Sequence, residues 1–212
     1  MSSVVLYNKN VLLKYVNETD IDEKVLKALE KIDRKEFVRP EYTDYAYEDT
    51  PLPIGYGQTI SQPSTVAFML TLLDVRKGLN VLDVGTGSGW TTALLSILVS
   101  KDGKVTGTEI IKELYEFGKE NISKFKNCSN VQLFLTKSSL GYEPNAPYDR
   151  ILVSAASVNV PETLIKQLKN GGIMVIPIQN SVFKIIKKFD DGKITTEEYP
   201  GFNFVPLIQS VN

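Results

Sequence analysis

The sequence predicts an α/β protein: a mostly parallel, doubly wound sheet with antiparallel strands at its C-terminal end and a helical appendage at its N-terminus. Three observations carry that expectation. Downstream of about residue 80, short apolar runs alternate with amphipathic stretches in a βαβ rhythm. The segment Val81-Leu-Asp-Val-Gly-Thr-Gly-Ser-Gly89 joins a buried-strand pattern to three alternating glycines and an apolar helical run over 91–99. Near the end, Asp190-Asp-Gly-Lys193 separates two β-prone runs, as a hairpin turn does.

Taken in order, Asp20-Ile-Asp-Glu23 reads as a helix N-cap with its acidic partner, followed by Ile21, Val25, Leu26, Leu29 and Ile32 at helical spacing. This is the expected first helix. The stretch 37–60 carries prolines 40, 51 and 53, glycines 55 and 57 and four tyrosines, which predicts an extended, partly packed segment. Pro63 opens the next helix, with Val66, Ala67, Leu70 and Leu73 as its apolar face and Lys77-Gly78 as its end. Strands are expected at 81–84, 105–109, 131–135, 148–154 and 173–178, and helices at 91–99, 113–125 and 161–168. The hairpin strands 183–189 and 194–199 close the chain.

Bulk properties narrow the function classes. At 212 residues and 42% hydrophobic content, the chain can bury a core of its own. The expected division is an appendage over 1–60 packed on a core unit over 61–212. A net charge of −1 offers no polybasic stripe, so nucleic-acid binding is not expected. No segment approaches the ~20 apolar residues of a membrane span, and the N-terminus lacks a signal-peptide pattern, so the expected location is cytoplasmic. There is no histidine and only one cysteine, Cys128. That excludes Ser-His-Asp and Cys-His nucleophiles, histidine metal sites and zinc ribbons, so no metal is expected. Cys128 reads as a surface or semi-buried residue.

The glycine turn carries the chemistry. Gly85, Gly87 and Gly89 let the backbone bend tightly and approach a ligand, while the following helix presents unpaired N–H groups. A dinucleotide site would follow G-x-G-x-x-G, but position 90 is Trp. Asp83, just before the first glycine, would repel a pyrophosphate and suits the cationic amino-acid end of S-adenosylmethionine. The second strand then ends in Glu109, placed to accept a ribose hydroxyl pair. Strand, glycines, helix, strand and acid in that order favour the cofactor over a glycine turn with a solvated glutamate. Asp149 begins its strand, opposite the ligand end, and reads as structural, whereas Ser154, Ala155 and Ala156 follow that strand and are better placed. Trp90 reads as helix-start packing, and tyrosines 42, 45 and 47 as packed surface.

Upstream, Pro51-Leu-Pro-Ile-Gly-Tyr-Gly-Gln-Thr-Ile-Ser-Gln-Pro63 closely resembles the block P-L-P-I-G-x-G-Q-T-I-S-x-P of the protein-L-isoaspartate O-methyltransferase family. The resemblance continues through the glycine turn, Leu140-Gly-Tyr142, Ala146-Pro-Tyr-Asp-Arg-Ile-Leu-Val153, Leu168-Lys-Asn-Gly-Gly172, Val175-Ile-Pro177 and Phe204-Val-Pro-Leu207, covering about 18–208. It implies a Rossmann-like S-adenosylmethionine-dependent methyltransferase fold. It also implies methyl transfer to the α-carboxyl of L-isoaspartyl residues in damaged proteins or peptides, leaving S-adenosylhomocysteine.

The same resemblance implies roles for particular residues. Ser61 matches the family's active-site serine, and helix capping is its plain alternative. Thr59, Ile60 and Ser64 belong to the loop over the cofactor. Further cofactor contacts fall on Asp83, Gly85, Thr86, Gly87, Ser88, Glu109, Ile110, Lys137 and Ser138. Val205 matches a segment resembling a peptide-docking edge, its plain alternative being a core strand position. The chain departs from the family pattern where Lys137 replaces an acid that contacts the adenine amino group, and where Ser64 replaces a histidine. Two alternatives stay open: a methyltransferase of the same fold acting on RNA or a small molecule, and a relative whose cofactor binding is impaired.

Overall fold

Residues 9–17, 20–137 and 139–208 are described by the computed structural model. A seven-stranded sheet organises them, in the order β5-β4-β3-β6-β7-β8-β9. Its strands are β3 (Asn80–Val84), β4 (Lys104–Glu109), β5 (Val131–Leu135), β6 (Tyr148–Val153), β7 (Leu168–Ile178), β8 (Ser181–Lys187) and β9 (Ile194–Pro200). The pairs from β5 to β7 are parallel, and β7-β8-β9 form the antiparallel end. Strand order reverses at β3, so β4 and β6 leave on opposite sides of it. That is where open α/β sheets bind ligands, beyond the carboxyl ends of the strands.

Alternation along β3 explains its near-continuous apolar sequence. Val81 packs into the core layer shared with α4 (Trp90–Val99), while Leu82 and Val84 pack into the opposite layer with Leu164 of α6 (Glu162–Gln167). Both faces are covered, and Val81 and Leu82 are fully buried. Helix α3 (Pro63–Leu73) and α5 (Lys112–Ser123) complete the main layers.

The N-terminal region differs from the sequence expectation in three ways. A helix α1 (Lys9–Asn17) precedes α2 (Glu23–Lys31), so the expected first helix is the second. Its N-cap is Asp22, not Asp20: the Asp22 carboxylate accepts from the Lys24 N–H at 3.0 Å. The stretch 37–60 is structured, with 3₁₀ turns at Arg34–Phe37 and Pro40–Tyr45 and a hairpin of β1 (Leu52–Gly55) and β2 (Gln58–Ile60). The partial packing was expected, but prolines and glycines mark these turns without revealing the 3₁₀ turns or the hairpin.

Two boundaries also shift, and one residue is more deeply buried than expected. Helix α3 stops at Leu73, before Lys77-Gly78, because Asp74 adopts a left-handed conformation with φ +47° and ion-pairs with Lys24 and Arg76. Strand β7 starts at Leu168 rather than 173. Leu168 pairs with Tyr148 and Ile173 with Arg150, so 169–172 bulge out at the glycine pair and the strand resumes. Cys128 is buried, not superficial, and burial pushes its thiol pKa up. No helix among the described residues is long and apolar enough to cross a membrane.

Candidate active site

A cleft opens at the carboxyl ends of four parallel strands. Val84 and Gly85 contribute from β3, Thr108 and Glu109 from β4, Thr136 from the end of β5, and Ser154 and Ala155 from the end of β6. Counted to its open mouth, it encloses about 830 Å³, a size suited to a nucleoside-based ligand. Thr86, Gly87 and Ser88 form its floor, and Ile54, Thr59, Ile60 and Ser61 of the hairpin form its roof.

The floor is shaped by close backbone approach. Gly87 has φ +51°, and a Cβ there would lie 3.1 Å from Ile54 Cδ1, so loop and hairpin meet only because the residue is glycine. Gly118 of α5 permits the second approach, since its Cβ would come within 2.8 Å of the Gly87 carbonyl. Gly118 was not among the expected site residues, although a lone glycine inside a helical pattern is a signal of such packing.

Glu109 ends β4 inside the cleft. Its Oε1 accepts from the Ile110 and Ile111 N–H groups at 2.8 and 3.0 Å, and Oε2 from the Gly87 N–H at 2.9 Å. A carboxylate offers about four lone-pair sites, so roughly one is left for a ligand hydroxyl. The same bonds fix the glycine turn against β4.

Asp83 sits behind the wall. It is fully buried and does not line the cleft; its Oδ2 accepts from Thr92 Oγ1 at 2.6 Å and its Oδ1 from Ser154 Oγ at 3.4 Å. Burial pushes its carboxyl pKa up to about 7. It therefore ties β3 to α4 and β6, and reaches the cleft only through Ser154.

The roof hangs on two arginines that sequence reasoning missed. Arg34, only 2% exposed, donates through Nη1 to the carbonyls of Ala46 and Glu48 and through Nη2 to those of Thr50, Ile60 and Ser61, at 2.8 to 3.5 Å. Burial lowers its pKa to about 10. Arg39 donates to the Ile54 carbonyl at 2.9 Å and lies 4.0 Å above the Phe117 ring. No local motif announces an arginine that works by collecting carbonyls from a distant strap.

Ser61, half-buried, is not the helix cap. Gln62 holds the cap position, and Asp49 serves α3 from outside by accepting from the Ser64 N–H at 2.8 Å. Asp49 also accepts from the Ser64 hydroxyl and from Gln62, which leaves Ser64 outside the cleft lining. Ser61, Thr59 and Val205 line both the cleft and a second, shallower groove bounded by Pro51 and 201–204. The three residues form the partition between the two. Val205 is half-buried and lies outside the named strands; its carbonyl accepts from the Ala156 N–H at 2.8 Å beside an Ala156–Pro206 bridge.

The structure thus gathers Thr59, Ile60, Ser61, Gly85, Thr86, Gly87, Ser88, Glu109, Ile110 and Val205 around one cleft. It places Asp83, Ser64 and Lys137 outside the lining, and Lys137 is exposed. Ser138 lies outside the described residues. Asp149 accepts from the Asn80 N–H and from Lys169 at the opposite end of the sheet, a structural post, and Trp90 is buried at the start of α4.

The residues present suit S-adenosylmethionine. Thr86 Oγ1 is buried in the cleft floor with no protein partner among the described residues. Glu109 retains acceptor capacity, and Gly87 brings no side chain to the floor. The adenine end would meet Thr136, Ser139 and Leu140 rather than an acid.

Comparison with known proteins agrees in scale and detail. A model of the protein-L-isoaspartate(D-aspartate) O-methyltransferase family matches residues 7–212. The chain is similar to the protein-L-isoaspartate O-methyltransferase of Methanopyrus kandleri, 46% identical over 87% of this chain and 83% of that protein. It is similar likewise to the enzyme of that name from Thermococcus onnurineus, 45% identical over 88% and 86%. A Plasmodium falciparum crystal structure assigned to the same activity, in complex with S-adenosyl-L-homocysteine, superposes with a TM-score of 0.84. It is 28% identical, covering 96% of this chain and 99% of that one.

Proposed function

Because this chain belongs to the protein-L-isoaspartate(D-aspartate) O-methyltransferase family, we propose that it is a protein-repair enzyme. It methylates the α-carboxyl of L-isoaspartyl residues in damaged proteins and peptides, with S-adenosylmethionine as donor. The observation that carries this reading is the partition formed by Thr59, Ser61 and Val205, which faces a donor cleft on one side and an open, peptide-sized groove on the other.

The bound donor supplies an electrophilic sulfonium methyl. Gly85, Thr86, Gly87 and Ser88 would hold its amino-acid end, Glu109 and Ile110 its ribose, and Thr136 with Ser139 and Leu140 its base. An acceptor carboxyl ordinarily titrates at about pH 4, so it arrives ionised and needs no general base, which accounts for a site built without imidazole. The work left to the chain is placement, an effect that can lower a barrier by roughly 7–11 kcal/mol. Ser61 orients the carboxylate with its hydroxyl, and Val205 guides the peptide along the groove. Residues 1–60 act as the appendage that carries the roof, on the 61–212 core.

A cytoplasmic location and protein partners, without nucleic acid or membrane, suit the net charge of −1. The deciding experiment follows labelled methyl from S-adenosylmethionine to an isoaspartyl peptide, with the normal aspartyl peptide as control. Methylation of the first alone is expected; equal labelling of both, or none of either, would sink the proposal.

A further inference from the structure

The groove beyond the partition is lined without a charged side chain. Ion pairing with its walls therefore cannot be what holds an acceptor there, and the hydrocarbon of Pro51, Phe204 and Val205 leaves orientation to a few polar groups. Two side-chain amides stand among them, Gln62 at the head of α3 and Asn203 in the segment that follows β9.

Each amide has one end committed and the other unused. Gln62 Nε2 donates to Asp49 Oδ2 at 2.9 Å and to Ser64 Oγ at 3.0 Å, and neither of those residues lines the groove. An ionised carboxylate only accepts, so this contact fixes which end of the amide is nitrogen. The Gln62 side chain makes no helix-cap bond, and among the described residues nothing donates to its Oε1. Asn203 is the converse. Its Oδ1 accepts from Asn180 Nδ2 at 2.9 Å, outside the groove lining, while its own Nδ2 has no acceptor among the described residues. One groove thus offers a spare acceptor and a spare donor, which are the two partners a peptide group requires.

We infer that Gln62 and Asn203 grip the main chain of the peptide acceptor, Gln62 Oε1 accepting from a peptide N–H and Asn203 Nδ2 donating to a peptide carbonyl. The inference rests on the isoaspartyl reading and adds how the acceptor is chosen. Main-chain bonds supply affinity that does not depend on the flanking side chains, and an uncharged lining adds no preference for a charged neighbour. The acceptor class is then an isoaspartyl residue in an extended segment of any sequence, with peptide groups not already paired in a helix or sheet. Neither amide lines the donor cleft, so both act on the peptide and not on the donor.

Steady-state methylation of isoaspartyl peptides by the full chain tests this. Gln62→Met and Asn203→Leu, close in volume to the residues they replace, should each raise the peptide KM by roughly 3- to 10-fold, the range for one lost hydrogen bond, with kcat and S-adenosylhomocysteine affinity little changed. Peptides N-methylated at single amides on either side of the isoaspartate should reveal a position that costs the wild type a similar factor and Gln62→Met nothing. A peptide KM unchanged in either variant, or an N-methyl penalty of equal size in wild type and Gln62→Met at every position, overturns the inference and leaves the isoaspartyl reading intact. Failure of the wild-type chain to methylate any isoaspartyl peptide removes that reading and this inference together.

Discussion

At the scale of single residues, the site depends on groups whose roles sequence and structure divide differently. Ser61 could have been a helix cap by its position before Pro63. The cap is Gln62, with Asp49 bonding the helix from outside, so the Ser61 hydroxyl is spared that duty. Ser61→Ala should therefore lower methyl transfer by about 10-fold or more while leaving S-adenosylhomocysteine affinity and melting temperature nearly unchanged. Steady-state kinetics beside calorimetry would check it, and a loss of stability without a loss of turnover contradicts it.

Asp83 makes the opposite case, a residue expected to touch ligand that instead braces the wall. Burial raises its folded pKa to about 7, above the unfolded carboxyl value, so its contribution to stability is full below about pH 4. That contribution declines as pH rises toward 7, at a limiting slope of about 1.4 kcal/mol per pH unit. Asp83→Asn should flatten that part of the stability curve and stabilise the protein at pH 8 relative to pH 5. Urea unfolding across that range tests the sign.

At the scale of elements, the roof hairpin is too small to hold itself over the cleft. A strand pair of four and three residues is marginal in water, and this one depends on side chains that reach it from outside. Arg34 collects five carbonyls between Ala46 and Ser61, a task suited to a planar fork with several donors. Arg34→Met should cost about 3 kcal/mol and open 46–61 to proteolysis. Arg34→Lys should recover less than half, because one ammonium cannot span the same acceptors. Denaturant titration and limited proteolysis read both effects; a cost under about 1 kcal/mol would show that the hairpin stands without its anchor.

At the scale of the whole molecule, ligand binding should appear as stability. S-adenosylhomocysteine at 100 times its Kd is expected to add about 2.7 kcal/mol, which for a chain of this size raises Tm by roughly 5–10 °C. Gly87→Val should erase that shift, since its φ of +51° and the Ile54 contact leave no place for a branched side chain. Melting curves with and without ligand decide it. A shift of normal size in the variant would mean that the cleft beside the glycine turn is not the donor site.

Much of this architecture was legible in the chain because it is written locally. Short apolar runs, the glycine spacing and the Asp-Gly turn depend on neighbours within a few residues, and they located the sheet, the ligand-binding turn and the antiparallel end. The block from Pro51 to Pro63 similarly exposed the family resemblance and Ser61. What only the tertiary structure decided involves partners far apart in sequence. Arg34 reaches to Ser61, Asp49 serves a helix that begins at Pro63, Gly118 admits the backbone of Gly87, and Asp83 turns away from the cleft toward Thr92 and Ser154. Local sequence specifies backbone preference and which faces are apolar, but which polar group finds which partner is settled only when burial forces every donor and acceptor to be matched.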